Sequence, residues 1–159
     1  MRTDENFTRA YEKYSDTVYR IAFLILKNHA EAEDILQNVF LKLLKTKKSF
    51  ESDDHLKAWL IVSAKNASKD ILKSFWRKNV FTDETALYKI SQDIHTKSVY
   101  NAVMGLKDKY KIPLYLYYFE GYKTEEIAKI LSKNPSTVRS LLCTARSKLK
   151  IDMEKGDLS

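Results

Sequence analysis

The chain has 159 residues, of which 44% are hydrophobic and 31% are charged, and these proportions exclude a membrane span and a disordered tail. Only 3 glycines and 2 prolines are present, which is little turn chemistry for a many-stranded sheet and therefore favours helices. The formal net charge of +7 favours a polyanionic partner, either nucleic acid or an anionic membrane surface, without choosing between them.

The few cysteines and histidines limit which disulfides and metal sites the chain can form. The one cysteine, Cys143, excludes an intrachain disulfide and a cysteine-based metal cluster, and the three histidines have no spacing typical of metal ligands. The N-terminal segment has no apolar core of a signal peptide, and the longest nearly apolar run, Ile21 to Leu26, is too short to cross a bilayer. We therefore expect a cytoplasmic protein without membrane insertion and without a cofactor or metal.

The first helix is predicted from Phe7, because apolar residues recur at steps of three and four along residues 7–25, which is the spacing of one helix face. Asn28 breaks this pattern and is expected to cap a second helix, with Glu31 placed for a capping box. Residues 35–44 carry a doubled apolar stripe, which indicates that one side of the second helix is buried.

A polar loop is predicted over residues 45–54, followed by a third helix that starts near Asp53. The apolar stripe of this helix comprises Leu56, Trp59, Leu60, Ala64, Ala67 and Ile71. Because Trp59 lies on the stripe, a position in the core is favoured for it over a role in base stacking. Residues 1–78 are of a suitable size for one small helical domain.

Residues 79–97 lose strong periodicity and are predicted to form a linker. Periodicity returns at Ser98 and continues until Gly121, which is expected to end a helix; Pro113 fits the first turn of a helix better than its middle. Residues 98–159 are therefore predicted to form a second domain. The predicted fold class is all-α, with two small helical domains joined by a linker.

A helix-turn-helix is predicted within the second domain. Thr124 offers a capping hydroxyl to the first helix of the pair, and two acidic residues follow it near the positive end of the helix dipole. A short turn at residues 132–133 then leads to Asn134, a strong N-cap residue, and to Pro135, a favoured first residue of a helix.

The second helix of the pair has an apolar side formed by Val138, Leu142, Ala145 and Leu149. Its outer face and flanks are left to Ser136, Thr137, Arg139, Ser140, Cys143 and Arg146. Short hydroxyl side chains and arginines near a helix N-terminus suit base edges and phosphates in a major groove. Residues 123–150 contain seven basic and two acidic residues, so the positive charge is concentrated here. The alternative, an ordinary helical hairpin with a solvated polar face, is disfavoured by this coincidence of cap, turn and basic face.

Two sets of motifs follow one another along the chain. The first set comprises Ala32 to Gln37, Val39 to Lys42, Ala58 to Leu60, Ala64 to Asn66, and Asp70. The second set comprises Leu106, Tyr117 to Gly121, Glu125 to Leu131, Thr137 with Val138, Ser140, and Ala145 to Leu149. In this order they resemble the N-terminal and C-terminal domains of bacterial RNA polymerase sigma factors of the extracytoplasmic-function group. Two ordered motif sets are more specific than either alone.

The resemblance implies a protein that binds core RNA polymerase and promoter DNA and that directs promoter-specific transcription initiation through DNA recognition and strand opening. It implies that residues 1–78 bind core polymerase and recognise and melt the minus-ten element. Residues 98–159 would recognise the minus-thirty-five element through the helix-turn-helix. The family also leaves open an anti-sigma factor as a third partner.

By position, one face of the second helix resembles the family surface that docks on the clamp helices of the largest polymerase subunit. This face comprises Asp34, Gln37, Asn38, Leu41 and Lys42. Leu41 is informative because it is apolar on an otherwise polar face, although a lone exposed leucine is common on protein surfaces.

The loop from Phe50 to Leu56 and the third helix match the strand-opening and minus-ten-reading elements of the family. An opened strand is held by stacking of an unstacked base and by neutralisation of phosphates. The largely basic side and end of the third helix would supply the contacts through Lys57, Lys65, Asn66, Lys69, Lys73, Arg77 and Lys78.

No enzymatic activity is expected, because Asp34 and Asp70 have neither a second acid at a metal-binding spacing nor an accompanying nucleophile. Two alternatives to a sigma factor belong to other classes of function. A stand-alone repressor or activator would leave the motifs of the first half unexplained. An enzyme or interaction domain fused to a generic DNA reader is disfavoured by the scarcity of catalytic constellations. A pull-down with core RNA polymerase separates the three.

Overall fold

The computed structural model of the chain describes residues 4–78 and 101–157, with side chains over residues 4–74 and 101–150. The chain divides into two compact units, Met1–Leu87 and Tyr88–Ser159. The first unit contains helices α1 (Asp4–Leu26), α2 (His29–Lys45) and α3 (Asp53–Lys78), and the second contains α4 (Asp108–Tyr118), α5 (Thr124–Leu131) and α6 (Pro135–Asp157). The described residues include no strand, and the predicted all-α class is confirmed. The predicted linker, residues 79–97, lies outside the described residues.

In the first unit, α1, α2 and α3 pack against one another in all three pairings. Their shared core is formed by fully buried aliphatic side chains, among them Val18, Ile21, Leu26, Ile35, Leu43, Leu60 and Ile61. Burial of a side chain of this size contributes about 1.5–3 kcal/mol relative to exposure. The apolar stripes along the sequence are therefore the surfaces by which the three helices associate.

The turn between α1 and α2 is fixed by Lys27 and Asn28. Lys27 adopts a left-handed conformation with φ of 53°, and its N–H donates to the carbonyl of Phe23 at 2.8 Å. The side-chain oxygen of Asn28 accepts a hydrogen bond from the backbone N–H of Glu31 at 2.9 Å. The predicted N-cap at Asn28 is confirmed, since its side chain satisfies a donor that the first turn of α2 leaves free.

The start of α3 also agrees with the prediction. Asp53 is its first residue, and the hydroxyl of Ser52 accepts a hydrogen bond from the backbone N–H of His55 at 3.1 Å. The predicted apolar stripe is buried at Leu56, Leu60 and Ala64, whereas Trp59, Ala67 and Ile71 are half-buried.

In the second unit, α4 and α5 both pack on α6 and contact each other. The core includes Leu116, Ile127, Ala128, Val138, Leu142 and Ala145, all of them buried. The tight turn between α5 and α6 contains Ser132 in the left-handed conformation, with φ of 54° and ψ of 47°. The backbone N–H of Lys133 donates to the carbonyl of Ala128 at 2.8 Å, so the turn closes on the last residues of α5. The predicted turn and the start of α6 at Pro135 are confirmed.

The prediction for Pro113 is wrong, because this residue lies inside α4 rather than in its first turn. Residues 101–104 are helical, the helical conformation is interrupted at residues 105–107, and α4 begins only at Asp108. A proline inside a helix removes one backbone donor, which disfavours the position locally. Pro113 and its chain neighbours Ile112 and Leu114 are nevertheless all buried. Tertiary packing therefore outweighs the unfavourable effect of a proline inside the helix.

The capping role predicted for Thr124 is also wrong. Thr124 is the first residue of α5, and Lys123 takes the N-cap position without a side-chain cap hydrogen bond. The carboxylate of Glu126 instead accepts a hydrogen bond from the backbone N–H of Lys123 at 2.9 Å. Because a glutamate at the third helical position can reach back to the cap, the helix start is satisfied without the threonine hydroxyl.

Candidate nucleic-acid interface

The outer face of α6 is composed as the sequence predicts. The residues assigned to it, Ser136, Thr137, Arg139, Ser140, Cys143 and Arg146, are all exposed. On the opposite side Val138, Leu142 and Ala145 are buried, and Leu149 is half-buried. Burial of one side by α4 and α5 therefore leaves the hydroxyl and arginine side chains facing solvent.

The two arginines of this face differ in their surroundings. Arg139 has neither an ion pair nor a hydrogen bond with any residue that the structure describes. Arg146 is held by α4: its Nε donates a hydrogen bond to the hydroxyl of Tyr118 at 2.6 Å. The Arg146 Cζ also lies 5.4 Å from the ring centroid of Tyr117 and 5.5 Å from that of Tyr118, within the range of a cation–π interaction.

Tyr117, Tyr118 and Phe119 form an aromatic ridge at the C-terminal end of α4. Tyr118 is 56% exposed and Phe119 is 76% exposed, which is unusual for aromatic side chains of this size. The Tyr117 and Tyr118 rings meet edge to face with centroids 4.9 Å apart, and the Phe119 ring stacks on Tyr115 at 5.5 Å. In the sequence, Tyr117, Tyr118 and Phe119 are recognisable only as part of the second motif set, and the contact of the two tyrosines with Arg146 carries no sequence signal.

The outer face of α2 is exposed at every position assigned to polymerase binding, namely Asp34, Gln37, Asn38, Leu41 and Lys42. Leu41 is 49% exposed, whereas its neighbours Phe40 and Leu43 are buried. Lys42 also contacts α3, because its Nζ lies 5.6 Å from the ring centroid of Trp59.

An aromatic cluster joins the loop before α3 to the first turns of that helix. The Phe50 ring meets Trp59 at 5.6 Å and His55 at 5.2 Å, in both cases edge to face. The backbone N–H of Glu51 donates to Nδ1 of His55 at 3.1 Å, which holds the loop against the helix. Trp59 and Phe50 are both half-buried, so the core position favoured for Trp59 is only partly correct.

The residues predicted to form the basic side of α3 occupy positions of different exposure. Lys57 and Lys65 are half-buried, and Asn66, Lys69 and Lys73 are exposed. Lys65, Lys69 and Lys73 follow at intervals of four and therefore share one side of the helix. The side chains of Arg77 and Lys78 lie outside the described residues.

A small charged network ties the start of α3 to α1. The Asp53 carboxylate accepts from Lys13 Nζ at 3.1 Å and lies 3.4 Å from Arg9 Nη2, and the Tyr14 hydroxyl donates to the Asp53 carbonyl at 3.4 Å. The hydrogen bond from Lys13 lowers the pKa of Asp53 below its usual value, and the same bond raises the pKa of Lys13. All three charged side chains are largely exposed, so water and salt screen the network.

Among the side chains described, those of residues 4–74 and 101–150, no group of three or more His, Cys, Asp or Glu is placed to hold a metal ion. None of the helices in that part of the chain is long and apolar enough to span a membrane.

Comparison with known proteins identifies the family. Residues 10–79 match Sigma-70 region 2, and residues 96–149 match Sigma-70 region 4. The RNA polymerase sigma factor SigV of Bacillus subtilis (strain 168) is 32% identical over 144 residues, which cover 89% of this chain and 87% of that protein. The chain belongs to the extracytoplasmic-function group of bacterial RNA polymerase sigma factors. The predicted family is confirmed.

Two further relatives support the family and the fold. The ECF RNA polymerase sigma factor SigM of the same organism is 27% identical over 154 residues, covering 92% of this chain and 94% of that protein. The sigma factor RpoE in its co-crystal structure with the anti-sigma factor NepR from Bartonella quintana has a TM-score of 0.76. It covers 94% of this chain and 98% of its own at 21% identity, which shows a shared fold.

This sigma factor acts with core RNA polymerase and directs promoter-specific transcription through DNA binding. Its family is not one of catalytic enzymes. Helices α1 to α3 belong to region 2, and α4 to α6 belong to region 4.

Proposed function

We propose that this sigma factor docks on core RNA polymerase through the outer face of α2, captures an opened strand with the loop before α3 and the basic side of α3, and reads duplex DNA with α6. The observation that carries the docking part of the proposal is the 49% exposure of Leu41 on a helix whose opposite side is packed. A lone exposed leucine is common on protein surfaces, but one ringed by polar side chains on a surface that matches the family's docking face suits the centre of an interface with a polar rim.

The outer face of α2 suits a protein partner. Asp34, Gln37 and Asn38 provide hydrogen-bonding groups around Leu41, and none of them is needed to cover the core of region 2. Lys42 stands at the border of this face, because its ammonium group also lies over Trp59. We therefore expect Leu41 and Gln37 to contribute more to polymerase binding than Lys42.

The docking face is tested with Leu41→Asp and Gln37→Ala in a binding titration of the full chain against core polymerase. Leu41→Asp is expected to cost at least about 2 kcal/mol of binding free energy, because it places a charge in a desolvated contact. Gln37→Ala is expected to cost less. Circular dichroism should stay unchanged, since Leu41 lies outside the core.

The matched control is Thr8→Asp, which adds the same charge to an exposed position on a different helix, α1. Thr8 lies outside the proposed docking face and outside the core, so neither folding nor polymerase binding should suffer. Unchanged affinity in both Leu41→Asp and Gln37→Ala would contradict the proposed docking face.

Strand capture is proposed for the aromatic cluster and the lysines of α3. Phe50 and Trp59 are half-buried, so each retains ring surface on which an unstacked base can stack. Lys65, Lys69 and Lys73 share one side of α3 and can neutralise the phosphates of the captured strand. Lys57, Asn66, Arg77 and Lys78 complete the proposed strand-binding set.

Duplex reading is proposed for the outer face of α6. Ser136, Thr137, Arg139, Ser140 and Cys143 are exposed along the N-terminal half of this helix, the part that enters the major groove in a helix-turn-helix. Arg139 has an unneutralised guanidinium group that suits a base edge. Arg146 lies later in the helix, at the flank beside α4, where contact with a phosphate is favoured over contact with a base.

We further propose that the chain performs no covalent chemistry itself and that the polymerase supplies the active site. It would act in the cytoplasm, where polymerase and chromosome are found in bacteria. An anti-sigma factor is proposed as an additional partner, by analogy with RpoE of Bartonella quintana, which was crystallised with NepR. Co-purification of the chain from its host tests this partner, and recovery of polymerase subunits alone would contradict it.

A further inference from the structure

Arg146 is held in place by groups that leave its charge intact. Its Nε donates to the Tyr118 hydroxyl at 2.6 Å, and its guanidinium lies over the rings of Tyr117 and Tyr118. Both partners are neutral, and no carboxylate pairs with Arg146 among the described residues. Arg9 is different, because the Asp53 carboxylate lies 3.4 Å from its guanidinium and offsets part of its charge. A cation fixed by neutral partners remains available to an anionic ligand.

The hydrogen bond to Tyr118 uses only one of the five N–H donors of the Arg146 guanidinium. The four donors on the two Nη atoms have no acceptor within the described part of the chain, and the side chain is exposed. Two parallel N–H donors of an arginine match two oxygens of a phosphate. The guanidinium is therefore held at its inner edge while its outer donors remain free.

Arg146 lies seven residues after Arg139, which is close to two turns of α6, so both side chains leave the same side of the helix about 10 Å apart along its axis. While Arg139 contacts a base, Arg146 would contact a phosphate at the flank of the same helix, α6. The hydroxyl of Tyr118 thus reaches across from α4 to a residue beside the proposed DNA-reading surface.

We propose that Tyr118, assisted by the ring of Tyr117, is a positioning residue for promoter binding that orients Arg146 toward a phosphate of the DNA backbone. A free arginine side chain loses rotamer freedom when it is immobilised on a ligand, and this loss opposes binding. Tyr118 removes that freedom before DNA arrives. The inference rests on the phosphate contact proposed above for Arg146.

The test uses holoenzyme assembled from core polymerase and the full chain. The probe is a duplex that the wild-type holoenzyme selects from a randomised DNA library, and its affinity is measured at several potassium chloride concentrations. Tyr118→Phe keeps the ring and removes the hydroxyl, so we expect affinity to fall about three- to tenfold. The slope of log affinity against log salt should stay as in wild type, because the charge is retained.

Tyr110→Phe is the matched control on the same helix. Its ring has Lys148 Nζ at 5.6 Å, but its hydroxyl has no hydrogen-bond partner among the described residues, so affinity should not change. Arg146→Ala removes the proposed phosphate contact and should lower the salt slope by about one. In the double variant, Tyr118→Phe should add no further loss to Arg146→Ala, because Tyr118 acts through that arginine.

The outcomes separate the two proposals. An unchanged salt slope in Arg146→Ala overturns the phosphate contact and the inference together. A lowered slope in Arg146→Ala with wild-type affinity in Tyr118→Phe overturns the positioning role alone and leaves the phosphate contact standing. A loss in Tyr118→Phe that persists in the Arg146→Ala background, or that follows a lower unfolding temperature, likewise overturns the positioning role.

Discussion

In region 2, Arg9 and Lys13 both reach the carboxylate of Asp53, whereas in region 4 the charged ends of Arg146 and Lys148 lie over tyrosine rings. The carboxylate offsets part of the charge of its two partners and ties α1 to the start of α3. The rings restrain their partners and leave the positive charge in place. A count of basic residues cannot make this distinction, because it depends on the kind of partner that the fold brings to each cation.

The comparison also holds inside region 2. Lys42 lies over the Trp59 ring, beside the loop that is proposed to capture an opened strand, and this cation is held by an aromatic group as in region 4. The ion pairs of Asp53 and the ring contacts of Lys42 and Arg146 all join two helices. They differ in the charge of the partner, because a carboxylate offsets part of the positive charge whereas a ring leaves it in place.

The largest effect is expected for Arg139, an exposed cation with no partner within the described residues. If its guanidinium reads a base, Arg139→Ala should cost about 1–3 kcal/mol and relax the preference at one position of the site. The measurement is holoenzyme affinity for a set of single-base variants of the selected duplex. Lys150→Ala is the control: Lys150 is an exposed cation on α6 beyond the predicted DNA-reading residues, and its removal should leave every preference unchanged. Equal loss on all variants in Arg139→Ala would reassign Arg139 to the DNA backbone.

A smaller effect is expected for Phe50. Its substitution tests whether an aromatic ring of region 2 contributes to nucleic-acid binding. Phe50→Leu keeps an apolar side chain against Trp59 but removes a ring on which a base can stack. We expect strand opening to be weakened by about 1 kcal/mol, the lower end of the range for one stacked base. Permanganate reactivity of unpaired thymines in the holoenzyme–duplex complex reports the opening. Phe7→Leu, an exchange of the same kind on α1, is the control, and equal reactivity in wild type and Phe50→Leu would exclude Phe50 from strand capture.

The smallest effect is expected for the ion pairs of Asp53. Because Lys13 lowers the pKa of this carboxyl below the ordinary 3.8, the group stabilises the folded state above that pH, and the contribution is lost as the pH falls through the lowered pKa. Asp53→Asn should therefore be slightly less stable than wild type above about pH 5 and equal to it in strong acid. Urea unfolding followed by tryptophan fluorescence reports region 2, since Trp59 and Trp76 both lie there.

Asp54→Asn is the control for this series, because Asp54 is the neighbouring exposed acid and has no ion pair among the described residues. A difference between Asp53→Asn and wild type that persists unchanged at low pH would show that the side chain acts through something other than its charge. Added salt should diminish the difference at neutral pH, since the pairs are exposed.

The features that were predicted correctly from the sequence depend on residues that lie close together in the chain. Asn28 and Pro135 act on the helix that follows them within a few residues, so their chemistry alone determines the helix start. Pro113 and Thr124 were predicted by the same kind of rule, and it failed because packing around Pro113 and the carboxylate of Glu126 outweighed the local preference. The apolar stripes of α2 and α6 predicted which faces would be exposed, and the structure agrees.

The partners of the exposed cations could not be predicted in this way. Tyr118 and Arg146 are separated by 28 residues, and they meet only because α4 packs beside α6. Lys13 and Asp53 are separated by 40 residues and meet because α1 packs against α3. Helical periodicity assigns each residue to a face but does not state which two faces adjoin, so a basic residue on a flank has no predictable partner.

The left-handed turn at Ser132 has a consequence for how this protein can diverge. The angle at which α6 leaves α5 is set by the backbone conformation of one residue and by the buried contacts of Ala128 and Val138. β-Branched side chains are strongly disfavoured at the left-handed backbone of Ser132, whereas the exposed positions of α6 carry no such restriction. Substitutions at exposed positions usually change stability by less than about 0.5 kcal/mol. Related chains can therefore acquire new DNA-reading side chains on an unchanged scaffold, so that the sequences recognised diverge faster than the fold that presents the helix.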